Sequence, residues 1–84
     1  MAKKAEDPYG TTMRILEEWR RHRDLSTEEV AAAMLVSPNT WRRYIKRETD
    51  ISFPMLIRAL NFLQVPYDDA LKCVTANLRV AKVG

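Results

Sequence analysis

The chain has 84 residues, 46% of them hydrophobic and 30% charged, with 14 basic side chains against 11 acidic ones and a net charge of +3. That length suffices for one small globular domain and is too short for two. A single cysteine, Cys73, excludes an internal disulfide framework and a multi-thiolate metal site, and a single histidine, His22, leaves His-based zinc sites and catalytic triads short of parts.

Residues 1–11 are polar and aperiodic, with Pro8 and Gly10 among them, and are expected to form a flexible N-terminal arm. The arm has no apolar stretch after Lys3 and Lys4, and no run in the chain approaches the roughly 18 apolar residues of a membrane span. The expected location is therefore cytoplasmic, with no membrane partner. From Thr12 a helical period sets in. Ile15, Leu16 and Trp19 share one stripe, Glu17, Glu18, Arg20 and Arg21 surround it, and the pattern fades at His22-Arg23-Asp24. His22 then sits at the helix C-terminus, where a cation suits the dipole.

Ser26-Thr27-Glu28-Glu29 has the spacing of a capping box: the serine hydroxyl accepts from the N–H of Glu29, and the Glu29 carboxylate reaches back to Ser26. The helix it opens runs from Thr27 to about Met34, through three alanines that keep its surface thin. Ser37-Pro38 starts the next helix. The serine is a good N-cap, and proline is tolerated at the first helical position, where its missing N–H has no intrahelical acceptor anyway. Trp41, Tyr44 and Ile45 form the apolar stripe of this helix, with Asn39, Thr40, Arg42, Arg43 and Lys46 off it. The segment from Trp41 to Arg47 holds four cations and no anion. Such a patch suits a phosphate-binding face, and it also suits an ordinary solvated helix surface. Ser52-Phe53-Pro54 looks like a further helix start, followed by Leu56, Leu60 and Leu63. Gln64-Val65-Pro66 breaks that helix. Asp68 and Asp69 favour the start of a fifth, with Leu71, Val74 and Leu78 as its expected stripe. Residues 78–84 fit either a strand or a continued helix and are set apart as a tail, a candidate dimerisation element. The domain proper is residues 12–77. The fold class is all-α, a compact bundle of about five short helices.

Two short helices joined by a tight turn are either a generic hairpin or a helix-turn-helix. The second makes demands that this chain meets. Ala31 is small where the helices cross, Val36 is apolar just after the turn, and Trp41 and Tyr44 pin the second helix from behind. The run from Leu25 to Ser37 resembles the helix-turn-helix signature of the phage repressor/Cro-like (XRE-type) DNA-binding domains. Phe53 to Asp69 resembles the helix that follows in that family and the start of its fifth. The resemblance covers roughly residues 13–71.

It implies a lambda-repressor-like bundle that binds double-stranded operator DNA as a homodimer, with residues 37–46 as the recognition helix, no cofactor, no metal, no small-molecule ligand and no enzymatic activity. Ser37, Asn39, Thr40 and Arg43 match positions facing base edges or nearby phosphates, and Arg42 is adjacent to them. Thr27 matches a phosphate contact, and Lys46 and Arg47 match the backbone-contacting end of the recognition helix. The chemistry agrees, because arginine can bind guanine O6 and N7 bidentately and asparagine can do the same with adenine N6 and N7. A different use of the fold is a protein-interaction module, an antirepressor or antitoxin-like partner, with Trp41 and Tyr44 as a partly exposed aromatic patch.

The chain departs from the family pattern at Asp24, Leu35 and Arg47, where glycine is common. A positive φ is costly for leucine, so an altered turn is expected at Leu35. Arg20 matches an arginine that often pairs with a glutamate in the recognition helix, but Ile45 stands there. Arg20 is then expected to find Glu17, Glu48 or a DNA phosphate.

Overall fold

Three serines set three of the helix starts. Each of Ser26, Ser37 and Ser52 has extended backbone geometry, and its hydroxyl accepts from the N–H three residues on, at Glu29, Thr40 and Met55 (3.0, 3.2 and 3.3 Å). At Ser26 the box is closed, because its own N–H donates to Glu29 Oε1 at 2.7 Å. A computed structural model describes the backbone of residues 8–83 and the side chains of residues 9–76. Its five helices are α1 (Pro8–His22), α2 (Thr27–Met34), α3 (Pro38–Ile45), α4 (Phe53–Phe62) and α5 (Tyr67–Val83), and the described residues contain no strand.

The ends of the first four helices share one solution. Asp24, Leu35, Arg47 and Gln64 all have positive φ, at 58°, 62°, 63° and 52°. At each, two backbone bonds close the helix: Asp24 N–H to Arg21 O with Leu25 N–H to Arg20 O, and the same pair at 35→32 with 36→31, 47→44 with 48→43, and 64→61 with 65→60. This is the Schellman arrangement, which glycine usually serves because it has no Cβ to clash. Both glycines of this chain, Gly10 and Gly84, lie elsewhere. The expected alteration of the turn at Leu35 is therefore corrected. The turn keeps its left-handed residue, and Leu35 takes it with the side chain 79% exposed. The two backbone bonds and the burial of Val36 against the core outweigh a cost of about 1–2 kcal/mol for a left-handed L-residue.

Helix α1 is the central element, packed chiefly on α5 and also on α3, while α2 packs on α3 and α4. The core gathers Met13, Ile15 and Leu16 from α1, Val30, Ala31 and Met34 from α2, and Trp41 and Tyr44 from α3. Leu56, Ala59, Leu60 and Leu63 come from α4 and its end, Ile51 from the preceding loop, and Cys73 from α5. One boundary differs from the expectation. Helix α1 begins at Pro8 and not at Thr12, so the last four residues of the expected arm are helical. Proline suits a first helical position, Thr12 is fully buried, and Tyr9 packs against the core, which extends the buried face backward. On α5 the inward residue is Cys73, fully buried, whereas Leu71 is 47% exposed. Burial pushes the Cys73 thiol up to about 11, with the Asp69 charge adding to the effect, so it stays protonated at neutral pH. For the tail, one of the two expected forms holds. The backbone of residues 78–83 continues α5 as helix, while residues 1–7 and the side chains of the tail lie outside the described residues.

A central polar group is one that sequence alone placed on the surface. Glu17 is only 7% exposed. Its carboxylate accepts from Arg20 Nε (3.0 and 3.1 Å) and Nη2 (2.9 Å), and from the indole Nε1 of Trp41 at 3.1 Å. Arg20 Nη1 donates in turn to the carbonyl of Leu25 at 2.7 Å, one residue before the α2 cap. The hydrogen bonds to Glu17 hold Arg20 more firmly protonated than usual, against the opposing pull of burial. A second indole repeats the device. Trp19 Nε1 donates to Asp69 Oδ2 at 2.8 Å and so joins α1 to α5.

Two outcomes follow for stability. Leu35→Gly is expected to raise the unfolding free energy by about 1 kcal/mol in urea melts, because it relieves the left-handed cost; a loss of stability would show that the turn gains from leucine. Glu17→Ala is expected to cost about 3–5 kcal/mol, since it strands a partly buried guanidinium and a buried indole N–H. Glu17→Gln should cost distinctly less, and equal losses for the two would mean that the hydrogen bonds contribute little.

Candidate nucleic-acid interface

Helix α3 has one buried side and one open side. Trp41 is fully buried and Tyr44 is 8% exposed, with the two rings meeting edge to face at 5.9 Å. The aromatic patch required by the protein-interaction reading is therefore inside the core. The opposite side presents Asn39, Arg43 and Lys46, all exposed. These lie at i, i+4 and i+7, so they form one ridge along the helix. No ion pair or hydrogen bond engages the side chain of Arg43 or Lys46 among the described residues.

The N-terminus of the ridge is ordered by hydroxyls. Ser37 caps the helix, and its Oγ lies 3.1 Å from Thr40 Oγ1, so the two hydroxyls form a joined polar edge. Thr27, half-buried, opens α2 just after the Ser26 cap. Val30 N–H is bonded to Ser26 O and Glu29 N–H to Ser26 Oγ, which leaves the N–H groups of Thr27 and Glu28 with no intrahelical acceptor. Such a helix end attracts anions through its dipole and its donors.

The remaining two cations of the segment are held differently. Arg42 sits on the flank of α3 that faces α2, and its Nη2 lies 3.2 Å from Glu28 Oε2 across the turn. Arg47 follows the helix end. Its guanidinium donates to Asp50 Oδ1 at 2.9 Å and lies 5.3 Å above the ring of Tyr9, which ties the α3–α4 loop to α1. Of the acceptors expected for Arg20, Glu17 is the one it takes.

Sequence reasoning named Glu17 as one acceptor for Arg20 but missed its burial and its bond to Trp41, because a carboxylate beside an apolar stripe reads as solvated. Its three-residue spacing to Arg20, on a helix that also faces a tryptophan, was the available signal. Arg23 was also passed over. It donates to the carbonyls of Leu63 and Gln64 at 2.9 and 2.7 Å and stacks over Trp19 at 5.0 Å, closing the end of α4 against α1. Such long-range caps to backbone leave no local pattern.

Among the described residues, no group of three or more His, Cys, Asp or Glu side chains could hold a metal, and no helix is long and apolar enough to cross a membrane. No curated protein and no solved structure matches the chain. Residues 14–72 match the family described as the helix-turn-helix domain, a span that contains α2, the turn at Leu35 and α3. The chain thus belongs to the helix-turn-helix domain family, in agreement with its repressor/Cro-like resemblance, and DNA binding by a regulator is the class of function that this membership carries.

Proposed function

We propose that the protein is a sequence-specific transcriptional regulator, a repressor that occupies its operator as a homodimer with residues 37–46 lying in the major groove. The observation that carries this reading is the two-sided α3. Its aromatic side is locked into the core while Asn39, Arg43 and Lys46 stay open to solvent. A helix about 10–12 Å across fits a major groove of about 12 Å. Asn39 and Arg43 read base edges, with Ser37 and Thr40 at the leading edge of the helix reaching bases or adjacent phosphates. Thr27 and the α2 N-terminus take a backbone phosphate. Arg42, Lys46 and Arg47 contribute to the backbone grip, Arg47 from its place against Asp50 and Tyr9.

One recognition helix reads few base pairs, and two copies reading half-sites about 34 Å apart supply the missing discrimination. Support for a second copy lies on α5, where Tyr67 and Leu71 are 75% and 47% exposed at i and i+4 and the helix runs on through residues 78–83. Occupying the operator is the action that a helix-turn-helix can perform by itself, which favours repression in the cytoplasm over catalysis.

The decisive experiment is selection from a random duplex library with the mass of the complex measured alongside. A palindromic site bound by a dimer is expected, and failure to enrich any sequence would overturn the reading. On the selected site, Arg43→Ala should cost about 1–3 kcal/mol and relax the preference at one base step. Lys46→Ala should weaken binding to all sequences alike and lower the salt slope by about one. Parent-like binding by both variants would mean that α3 is not the recognition helix.

A further inference from the structure

The acidic residues at the start of α2 are not equivalent. Glu29 is consumed by the capping box, where it accepts from Ser26 N–H at 2.7 Å. Glu28 is free of the cap and reaches across the helix-turn-helix to Arg42 Nη2 at 3.2 Å. This contact places a carboxylate on the edge where α2 offers its N-terminal donors, and it neutralises one cation of the α3 segment. Arg42 lies on the α2 side of α3, away from the line of Asn39, Arg43 and Lys46. The pair therefore sits at the phosphate-facing seam and not on the base-reading ridge.

The local charge pattern sharpens the point. Of the four cations between Trp41 and Arg47, Arg42 is tied to Glu28 and Arg47 to Asp50, while Arg43 and Lys46 carry no ion pair among the described residues. The Arg47 pair lies in the loop after α3, where the arginine side chain is 23% exposed beside an Asp50 that is 62% exposed. The Arg42 pair is open, with side chains 46% and 65% exposed, so a competing anion can reach it. A pair this exposed adds little to folding stability. Its consequence is electrostatic: a phosphate that approaches Arg42 must displace a carboxylate already in place.

We propose that Glu28 is an intramolecular competitor of DNA phosphate for Arg42, and that it sets the strength of the sequence-independent grip on the duplex. This rests on the DNA-binding reading above. Glu28 lowers affinity for a duplex of any sequence, because the contact it withholds is to backbone. Base preference stays with Asn39 and Arg43. The pair also holds Arg42 in place until a phosphate takes over.

The test is a salt titration of binding to a short mixed-sequence duplex, followed by fluorescence anisotropy, for the parent, Glu28→Gln, Arg42→Ala and the double variant. Thermal melts are run on all four to confirm that each is folded. Glu28→Gln is expected to tighten binding about two- to fivefold, the range that one exposed ion pair can supply. It should also steepen the log–log salt dependence by about one, because one more phosphate is neutralised. In the Arg42→Ala background the same substitution should change neither quantity. An unchanged affinity and slope in Glu28→Gln would overturn the proposal. So would an undiminished gain in the Arg42→Ala background, which would mean that Glu28 acts by bare repulsion. A parent protein that binds no duplex would instead overturn the DNA-binding reading itself, and this one with it.

Discussion

The arrangement depends on one buried carboxylate. Glu17 receives the Arg20 guanidinium on both oxygens and the Trp41 indole on Oε2, and Arg20 passes the link on to the Leu25 carbonyl at the entrance to α2. One acid on α1 thereby fixes both helices of the helix-turn-helix. The bond to Trp41 fixes the rotation of α3 about its own axis, because an indole N–H leaves little choice of direction. That rotation decides which residues face out. A turn of α3 by one residue would bring Arg42 toward the centre of the open side and carry Arg43 toward the core. A buried ion pair contributes little net stability, since desolvation offsets attraction. Its value here is orientation, which apolar packing of Leu16, Val30 and Leu56 alone would leave less determined.

Much of this was readable from the residues. Ser26, Ser37 and Ser52 announced three helix starts because a capping hydroxyl acts over three residues and leaves a local pattern. The stripe of Trp41 and Tyr44 gave the buried side of α3 for the same reason. The turns were readable only in part. Three of the four left-handed positions were marked by the missing glycine, but their geometry was misjudged at Leu35, where the local backbone cost was weighed without the two hydrogen bonds and the Val36 contact that offset it. Gln64 was read as part of the break after α4 but not as a left-handed position, although it closes α4 with the same pair of bonds. The start of α1 was set late because Pro8 and Gly10 read as breakers, while the packing of Tyr9 and Thr12 is a tertiary effect.

The candidate interface divides in the same way. Its membership was legible, because cations and amides on one side of a short capped helix form a sequence pattern. Its internal wiring was not. Glu28 with Arg42, Arg47 with Asp50 and Tyr9, and Arg23 with the end of α4 each join residues through the fold or across a turn. The four cations of the α3 segment look alike in sequence. In three dimensions, Arg43 and Lys46 stand open on the ridge, Arg42 bridges to α2, and Arg47 braces a loop. Two tryptophans divide similarly: Trp19 joins α1 to α5 through Asp69, and Trp41 joins α3 to α1 through Glu17.

The central claim is that α3 turns its amide and guanidinium side to a duplex while its indole side stays locked to Glu17. The most direct test is to follow every backbone amide and both indole N–H resonances of isotope-labelled protein as the selected duplex is added. The account predicts large shifts at Thr27, Ser37, Asn39, Thr40, Arg43 and Lys46, with the Trp41 indole resonance nearly unmoved. Shifts concentrated on Phe53, Ile57, Tyr67 and Leu71, with α3 silent, would contradict it.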